Sequence, residues 1–171
     1  MDLFLDELRS PLGTIVLICD DEALRVLDFA DCEERMQRLL KLHYGEQRPV
    51  KSCASLPMKQ RVEKYFAGEL TSIDCIAVRT EGTAFQKQVW AELRNIVAGT
   101  TLSYGELAKR IGRPGASRAV GLANGSNPIA IVVPCHRVIG ANGALTGYGG
   151  CLGRKRWLLE HEGAQLPLAT L

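Results

Sequence analysis

The 171-residue sequence has no apolar run near the about 20 residues that a membrane-crossing helix needs; its longest, such as Ile129 to Val133, are far shorter. No membrane partner is expected. Nor does it open with a basic segment, an apolar core and a small-residue cleavage site. The first residues, MDLFLDELRS, carry acids instead, and export is not expected. No tract repeats. With 46% hydrophobic and 23% charged residues, the chain also lacks the bias of collagen-like, low-complexity or disordered proteins. No C-x-x-C or H-x-x-x-H pair occurs, so nothing has chelating spacing and no metal is expected; His43 and His161 read as packing or surface residues. Six cysteines without a leader read as free thiols of a reducing compartment, which points to the cytoplasm.

Carboxylates are missing from one long stretch. Between Leu107 and Leu159 there is none, while Lys109, Arg110, Arg113, Arg118, Arg137, Arg154, Lys155 and Arg156 all fall there. Residues 1–80 hold 11 basic and 14 acidic side chains, and residues 81–171 hold 10 and 5. A basic half of this kind suits a polyanion partner.

The pattern of the first half predicts a short antiparallel meander. Extended runs at Leu3 to Leu8, Thr14 to Cys19 and Leu24 to Phe29 are separated by Ser10-Pro11-Leu12-Gly13 and Asp20-Asp21-Glu22 turns. Met36, Leu39, Leu40 and His43 share helical spacing, as do Met58, Val62, Tyr65 and Phe66 before Gly68. Ile73 to Val78 reads as one more strand. Arg79-Thr80-Glu81-Gly82 then reads as a linker between a scaffold domain, 1–80, and a second domain, 81–171.

The second half opens with a capping box. Thr83 with Gln86 satisfies orphan backbone groups at a helix start, and Phe85, Val89, Trp90 and Leu93 follow on one face. Ser103 with Glu106 starts another helix, carrying Leu107, Ala108 and Ile111 and ending at Gly112. A third is expected from Ala116 toward Asn124, which makes a helix-turn-helix. Ala116, Ala119, Val120 and Ala123 form its expected buried stripe, so Arg118 faces out. Ser117 and Gly121 add little bulk. Small residues there allow either tight helix packing or close approach to a minor groove only about 6 Å wide, and the missing carboxylates favour nucleic acid.

After Asn127-Pro128 the run Ile129 to Val133 reads as a buried strand broken by Pro134, which presents Cys135, His136 and Arg137. Cys19, Cys32, Cys53, Cys75 and Cys151 read as inert small hydrophobes. Cys135 differs, because a neighbouring histidine that takes its proton yields the reactive thiolate. Adjacent side chains at a turn point apart, so His136 would act through one water. A carboxylate would orient the imidazole, and Glu162 and Glu160 are the candidates. The same trio would also serve a cysteine hydrolase. The glycines of Thr146-Gly147-Tyr148-Gly149-Gly150 fit neither nucleotide-loop pattern and read as a mobile loop.

The segment Ile131-Val132-Val133-Pro134-Cys135-His136-Arg137-Val138-Ile139 is similar to the active-site signature of the O6-alkylguanine-DNA alkyltransferases, also called methylated-DNA-protein-cysteine methyltransferases. Tyr104, the Arg118 helix, Asn127-Pro128, Tyr148-Gly149-Gly150 and Glu160-His161-Glu162-Gly163 follow the family order, as does the early Ser10-Pro11-Leu12-Gly13; the likeness is to bacterial Ogt-like members. It implies an α/β (α+β) fold: an N-terminal ribonuclease-H-like antiparallel sheet with helices, then a C-terminal winged helix-turn-helix domain.

The resemblance also implies direct reversal of DNA damage. The recognition helix lies in the minor groove, with Arg118, Ser117, Ala119, Gly121, Lys109 and Arg113 against DNA and Arg118 replacing the extruded base. Cys135 takes the alkyl group for good, with His136 as base and Glu162 fixing its tautomer. Asn127 ties the helix to the active-site turn, and Tyr104 bonds guanine N3. The carbonyls of Cys135 and Val138 accept from the exocyclic amine, and the N–H of Gly149 donates to O6, within a loop of Tyr148, Gly149 and Gly150. The implied partner is double-stranded DNA with O6-alkylguanine, met by a monomer with no cofactor; O4-alkylthymine is a further candidate. Gly149, where some members have serine, implies a roomier pocket, and Cys151 stands where a small residue is expected. The N-terminal zinc ligands of some relatives find no matching set among Cys19, Cys32 and His43.

Overall fold

Alternating apolar residues and a tight turn build the first sheet. In this computed structural model, which describes residues 1–52 and 55–166, β1 (Phe4–Ser10) pairs antiparallel with β2 (Gly13–Cys19), with Ser10 opposite Gly13. Gly13 takes φ 101°, and Ser10 Oγ donates to its carbonyl at 2.7 Å, so the turn residues are the ones the hairpin demands. β3 (Leu24–Phe29) continues the meander, and β4 (Val50–Lys51) adds to β1 in parallel, giving the order β3-β2-β1-β4. The Asp20 side chain accepts from the backbone N–H of Glu22 and Ala23 and from Arg25, which closes the β2–β3 turn.

Two helices cover this sheet's apolar residues. α1 (Glu33–Tyr44) buries Met36 and Leu40 in a cluster with Leu3, Val16, Ile18 and Val26, and α2 (Leu56–Phe66) buries Val62 and Tyr65. The expected strand from Ile73 to Val78 is not formed: Leu70–Ile73 is a 3-10 turn, and Val78 makes one isolated bridge to Leu24. These elements belong to a compact unit of residues 1–82 that also includes residues 128–132.

The expected strand at Ile129 to Val133 is also absent. Ile129 forms a single parallel bridge with Leu27, and the Val132 N–H then donates to the Ala130 carbonyl across Ile131, whose φ is 69°. A β-branched residue there is strained, and the γ-type turn ends any ladder after one bridge. Apolar character predicted burial, which is observed, but not conformation.

The second unit comprises residues 83–127 and, among the described residues, 133–166. α3 (Ala84–Leu93) and α4 (Tyr104–Arg110) both begin with the capping boxes expected at Thr83/Gln86 and Ser103/Glu106. Such caps contribute about 1 kcal/mol each. α5 (Ser117–Gly125) follows a turn in which Gly112, at φ 74°, takes the left-handed conformation that ends α4. α5 packs against α3 and α4, and Trp90 Nε1 donates to the Ala123 carbonyl at 2.8 Å. Its buried side is Val120, Ala123 and Asn124; Ala119, placed in that stripe by its spacing, is exposed. β5 (Leu102–Ser103) and β6 (Val138–Ile139) form a parallel pair, and α6 (Leu152–His161) follows.

Candidate active site

Pro134 shapes the nucleophile's turn. Its φ of −82° and ψ of 66°, with the Cys135 N–H donating to the Val133 carbonyl at 2.8 Å, form an inverse γ-turn that opens the 3-10 turn Cys135–Arg137. Cys135 is 5% exposed. Two asparagines, one in the last turn of α5 and one just beyond it, hold this turn from the other side: Asn124 Nδ2 donates to the Cys135 carbonyl at 3.3 Å, and Asn127 Nδ2 to the Val133 carbonyl at 2.8 Å.

His136 is wholly buried, and its Nε2 lies 2.9 Å from Glu162 Oε1 at the end of α6. Arg137 grips the same carboxylate, with Nε 2.9 Å from Oε2 and Nη2 2.8 Å from Oε1, while Nη1 donates to the Ile96 carbonyl. Burial favours a neutral Glu162, as does its place at a helix C-terminus, but His136 and Arg137 outweigh both and hold the carboxyl well below its ordinary range. Burial pushes His136 below its usual value despite the attraction of Glu162, so the imidazole stays neutral. An ionised carboxylate on Nε2 fixes the proton there, which leaves Nδ1 with its lone pair. Nδ1 has no partner among the described residues. The chain therefore builds a neutral base next to a thiol.

Lys155, also wholly buried, donates to the Val138 carbonyl and, at 2.8 Å, to the Thr146 carbonyl. Burial lowers it to about 8, opposed by attraction to Cys135. That attraction is mutual and favours an ionised sulfur. The Tyr104 hydroxyl donates to the same Thr146 carbonyl at 3.2 Å, and its ring lies where a Cβ on Gly121 would be 3.7 Å away, so Tyr104 sits between α5 and the 146–147 loop. Gly150 is buried, Tyr148 half-buried and Gly149 exposed, and Cys151 at the start of α6 takes φ 78°.

Comparison with known proteins places both halves of the chain in one family. Residues 84–164 match the DNA binding domain of 6-O-methylguanine DNA methyltransferase, and residues 6–80 match its ribonuclease-like domain. The chain belongs to this methyltransferase family. The methylated-DNA--protein-cysteine methyltransferase of Shigella flexneri is 49% identical over 161 residues, covering 92% of this chain and 94% of that protein. Its namesake in Methanosarcina acetivorans is 49% identical over 156 residues, covering 91% and 96%. The crystal structure of Mycobacterium tuberculosis OGT in complex with DNA aligns with TM-score 0.81 at 42% identity, covering 98% of this chain and 96% of that one.

Within this family member the residues expected to work together fall into groups. Cys135, His136 and Glu162 share one buried cluster, whereas Glu160, the rival carboxylate, is exposed and His161 stacks on Trp157 at 4.7 Å. Asn127 binds the active-site turn, and the Val138 carbonyl already accepts from Lys155. On the helix-turn-helix, Lys109, Arg113, Arg118 and Ala119 are exposed, and Ser117 and Gly121 are half-buried. Arg113 lies over the Phe85 ring at 5.7 Å. Leu122, 74% exposed on the same helix, was not anticipated.

Two members of the supposed polyanion stretch are corrected. Arg137 and Lys155 are buried, the first because its carboxylate partner lies beyond the acid-free stretch, the second because it bonds two backbone carbonyls. Cys75 and Cys151 are exposed rather than packed, Cys19 is buried, and Cys53 lies outside the described residues. No group of metal-ligating side chains occurs among the described residues, and no helix there is long and apolar enough to cross a membrane. Sequence reading also missed the 96–99 loop. Gly99 has φ 84°, and a Cβ there would meet the Glu162 carbonyl at 2.9 Å. Gly99→Ala should cost about 1–3 kcal/mol, read by urea unfolding, because strain and clash act together.

Proposed function

We propose that this protein reverses alkylation damage in duplex DNA by moving the alkyl group of O6-alkylguanine onto Cys135, irreversibly and once per molecule. One observation carries the reading: a buried neutral imidazole, its Nε2 proton fixed by Glu162 and its Nδ1 lone pair open, adjoins the thiol.

The chemistry then balances. Through one water, His136 Nδ1 takes the Cys135 proton; the thiolate attacks the alkyl carbon, the C–O6 bond breaks toward the guanine, and the base ends with the proton the thiol gave up. Tyr104 exchanges its bond to Thr146 for one to guanine N3, where its hydroxyl eases departure of the base. The carbonyls of Cys135 and Val138 accept from the exocyclic amine, and the Gly149 N–H donates to O6, which selects guanine. O6 inside a base stack is beyond the reach of any thiolate, so the base must be flipped out. Arg118 and Ala119, with Ser117 and Gly121, meet the minor groove, flanked by Lys109 and Arg113; Tyr148 and Gly150 border the pocket. The exposed Gly149 leaves room for groups larger than methyl. Residues 1–80 act as scaffold and 81–171 as the DNA-binding, acceptor domain. The protein works as a monomer in the cytoplasm, where thiols stay reduced.

A thioether product has no good leaving group, so excess O6-methylguanine duplex gives one transfer per protein and then stops. Sustained turnover would sink the proposal and favour a hydrolase. Binding through about four to six phosphates should weaken steeply with salt, with a log–log slope near −4 to −5. Arg118→Ala should slow transfer about 10- to 100-fold in single-turnover assays, since the vacated stack loses its replacement.

A further inference from the structure

Asn124 is a polar residue with no assigned role, in the last turn of the DNA-binding helix and bonded to the nucleophile's backbone. It is 2% exposed, and its Nδ2 donates to the Cys135 carbonyl at 3.3 Å. A carbonyl can only accept, so the amide orientation is fixed, and Oδ1 is the other amide atom. That oxygen is buried without a partner among the described residues, as is His136 Nδ1 on the residue next to Cys135. Buried acceptors of this kind are ordinarily satisfied by ordered water, and two acceptors match the two hydrogens of one water.

We propose that Asn124 is a positioning residue for proton removal from Cys135: Oδ1 accepts one hydrogen of the relay water, whose other hydrogen points at His136 Nδ1 and whose oxygen accepts from the Cys135 thiol. This deepens the function proposed above and rests on it. The proton balance closes. The thiol hydrogen passes to the water, the water gives its hydrogen to Nδ1, and the products are thiolate and imidazolium. The water then donates to the sulfur and to Oδ1 and accepts from Nδ1–H, so Asn124 steadies the ion pair as well as the step that forms it. The bond from Nδ2 meanwhile fixes the Cys135 carbonyl, so one amide sets both the turn and its solvent. Asn127 is not assigned to this relay: its Nδ2 donates to the Val133 carbonyl, and its amide oxygen, unlike that of Asn124, is not a buried acceptor left without a partner.

The test uses Asn124→Leu, similar in size and without polar atoms. Alkylation of Cys135 by iodoacetamide, located by peptide mass spectrometry across pH, reads the thiolate without DNA. The expected result is about a 10-fold lower rate at neutral pH, with the profile displaced upward by about one unit, while affinity for undamaged duplex is unchanged. A profile superimposable on that of the unaltered chain, with only the melting temperature lowered, would mean a purely structural role and overturn the proposal. A high-resolution crystal structure of the unaltered chain decides independently of how the variant folds. One water within hydrogen-bond reach of Cys135 Sγ, His136 Nδ1 and Asn124 Oδ1 is expected, and its absence overturns the assignment. Failure of alkyl transfer from DNA, with the iodoacetamide shift intact, would instead count against the proposed function.

Discussion

Cys135→Ser should bind duplex DNA as the unaltered chain does and transfer alkyl groups at least on the order of 10⁴-fold more slowly. A hydroxyl at this turn keeps the shape of the site, because the Cys135 backbone bonds to Val133 and Asn124 do not involve the side chain. What is lost is ionisation. An ordinary thiol, with a pKa of about 8.5, is within reach of a neutral imidazole, whereas a serine hydroxyl is not, and displacement at carbon needs the anion. The Lys155 ammonium, drawn to the Cys135 sulfur, cannot make up that difference. Single-turnover transfer of a labelled methyl group, beside a binding isotherm on undamaged duplex, separates the two properties. Equal loss of both would mean that the residue supports folding or DNA contact instead.

Glu162→Ala carries the second large effect, on stability and rate together. It leaves the buried Arg137 guanidinium without its carboxylate, a change that costs about 3–5 kcal/mol. For a chain of this length the melting temperature should drop by about 10 °C. It also frees the His136 tautomer, so that Nδ1 no longer reliably holds the lone pair. Transfer by the folded fraction should then slow by about 10²-fold or more. Glu162→Gln, which keeps an acceptor but loses the charge, should fall between.

The same cluster contributes to the pH dependence of stability. Glu162 in the fold lies below its ordinary 4.5, so its contribution is full above that pH and is lost as pH falls toward the depressed value. His136 is lowered from 6.5, so unfolding gains a proton below that pH, and its effect runs in the same direction. Urea midpoints should therefore decline gently below pH 6.5 and steeply below 4.5. The steep part should shrink in Glu162→Ala, leaving the smaller share carried by the other lowered carboxylates, Asp6, Asp20 and Glu106. A midpoint that rises on acidification would contradict this.

Much of this architecture is legible in the chain because local chemistry decides it. Ser10-Pro11-Leu12-Gly13 closes a hairpin with a glycine at positive φ, and two capping boxes mark helix starts residue by residue. Where burial alone was read as conformation, it misled: Ile129 to Val133 is buried yet turns at Ile131, and Ile73 to Val78 is mostly irregular. At the site, Cys135 and His136 announce themselves by adjacency, and Glu162 by likeness to a signature.

Arg137, Lys155 and Asn124 do not, because their partners are backbone carbonyls or lie far along the chain. A count of charges cannot distinguish a cation that faces DNA from one that closes a buried network. A hint was available for Arg137, which directly follows a run of buried residues; a cation in that position needs a fixed partner.

The most direct test of the central claim is to incubate the unaltered chain with duplex DNA bearing one isotopically labelled O6-methylguanine, then digest it and map the label by peptide mass spectrometry. The account predicts one methyl per chain, on the sulfur of Cys135, with unmodified guanine left in the DNA. A methyl on Cys151, or a protein of unchanged mass beside repaired DNA, would contradict it.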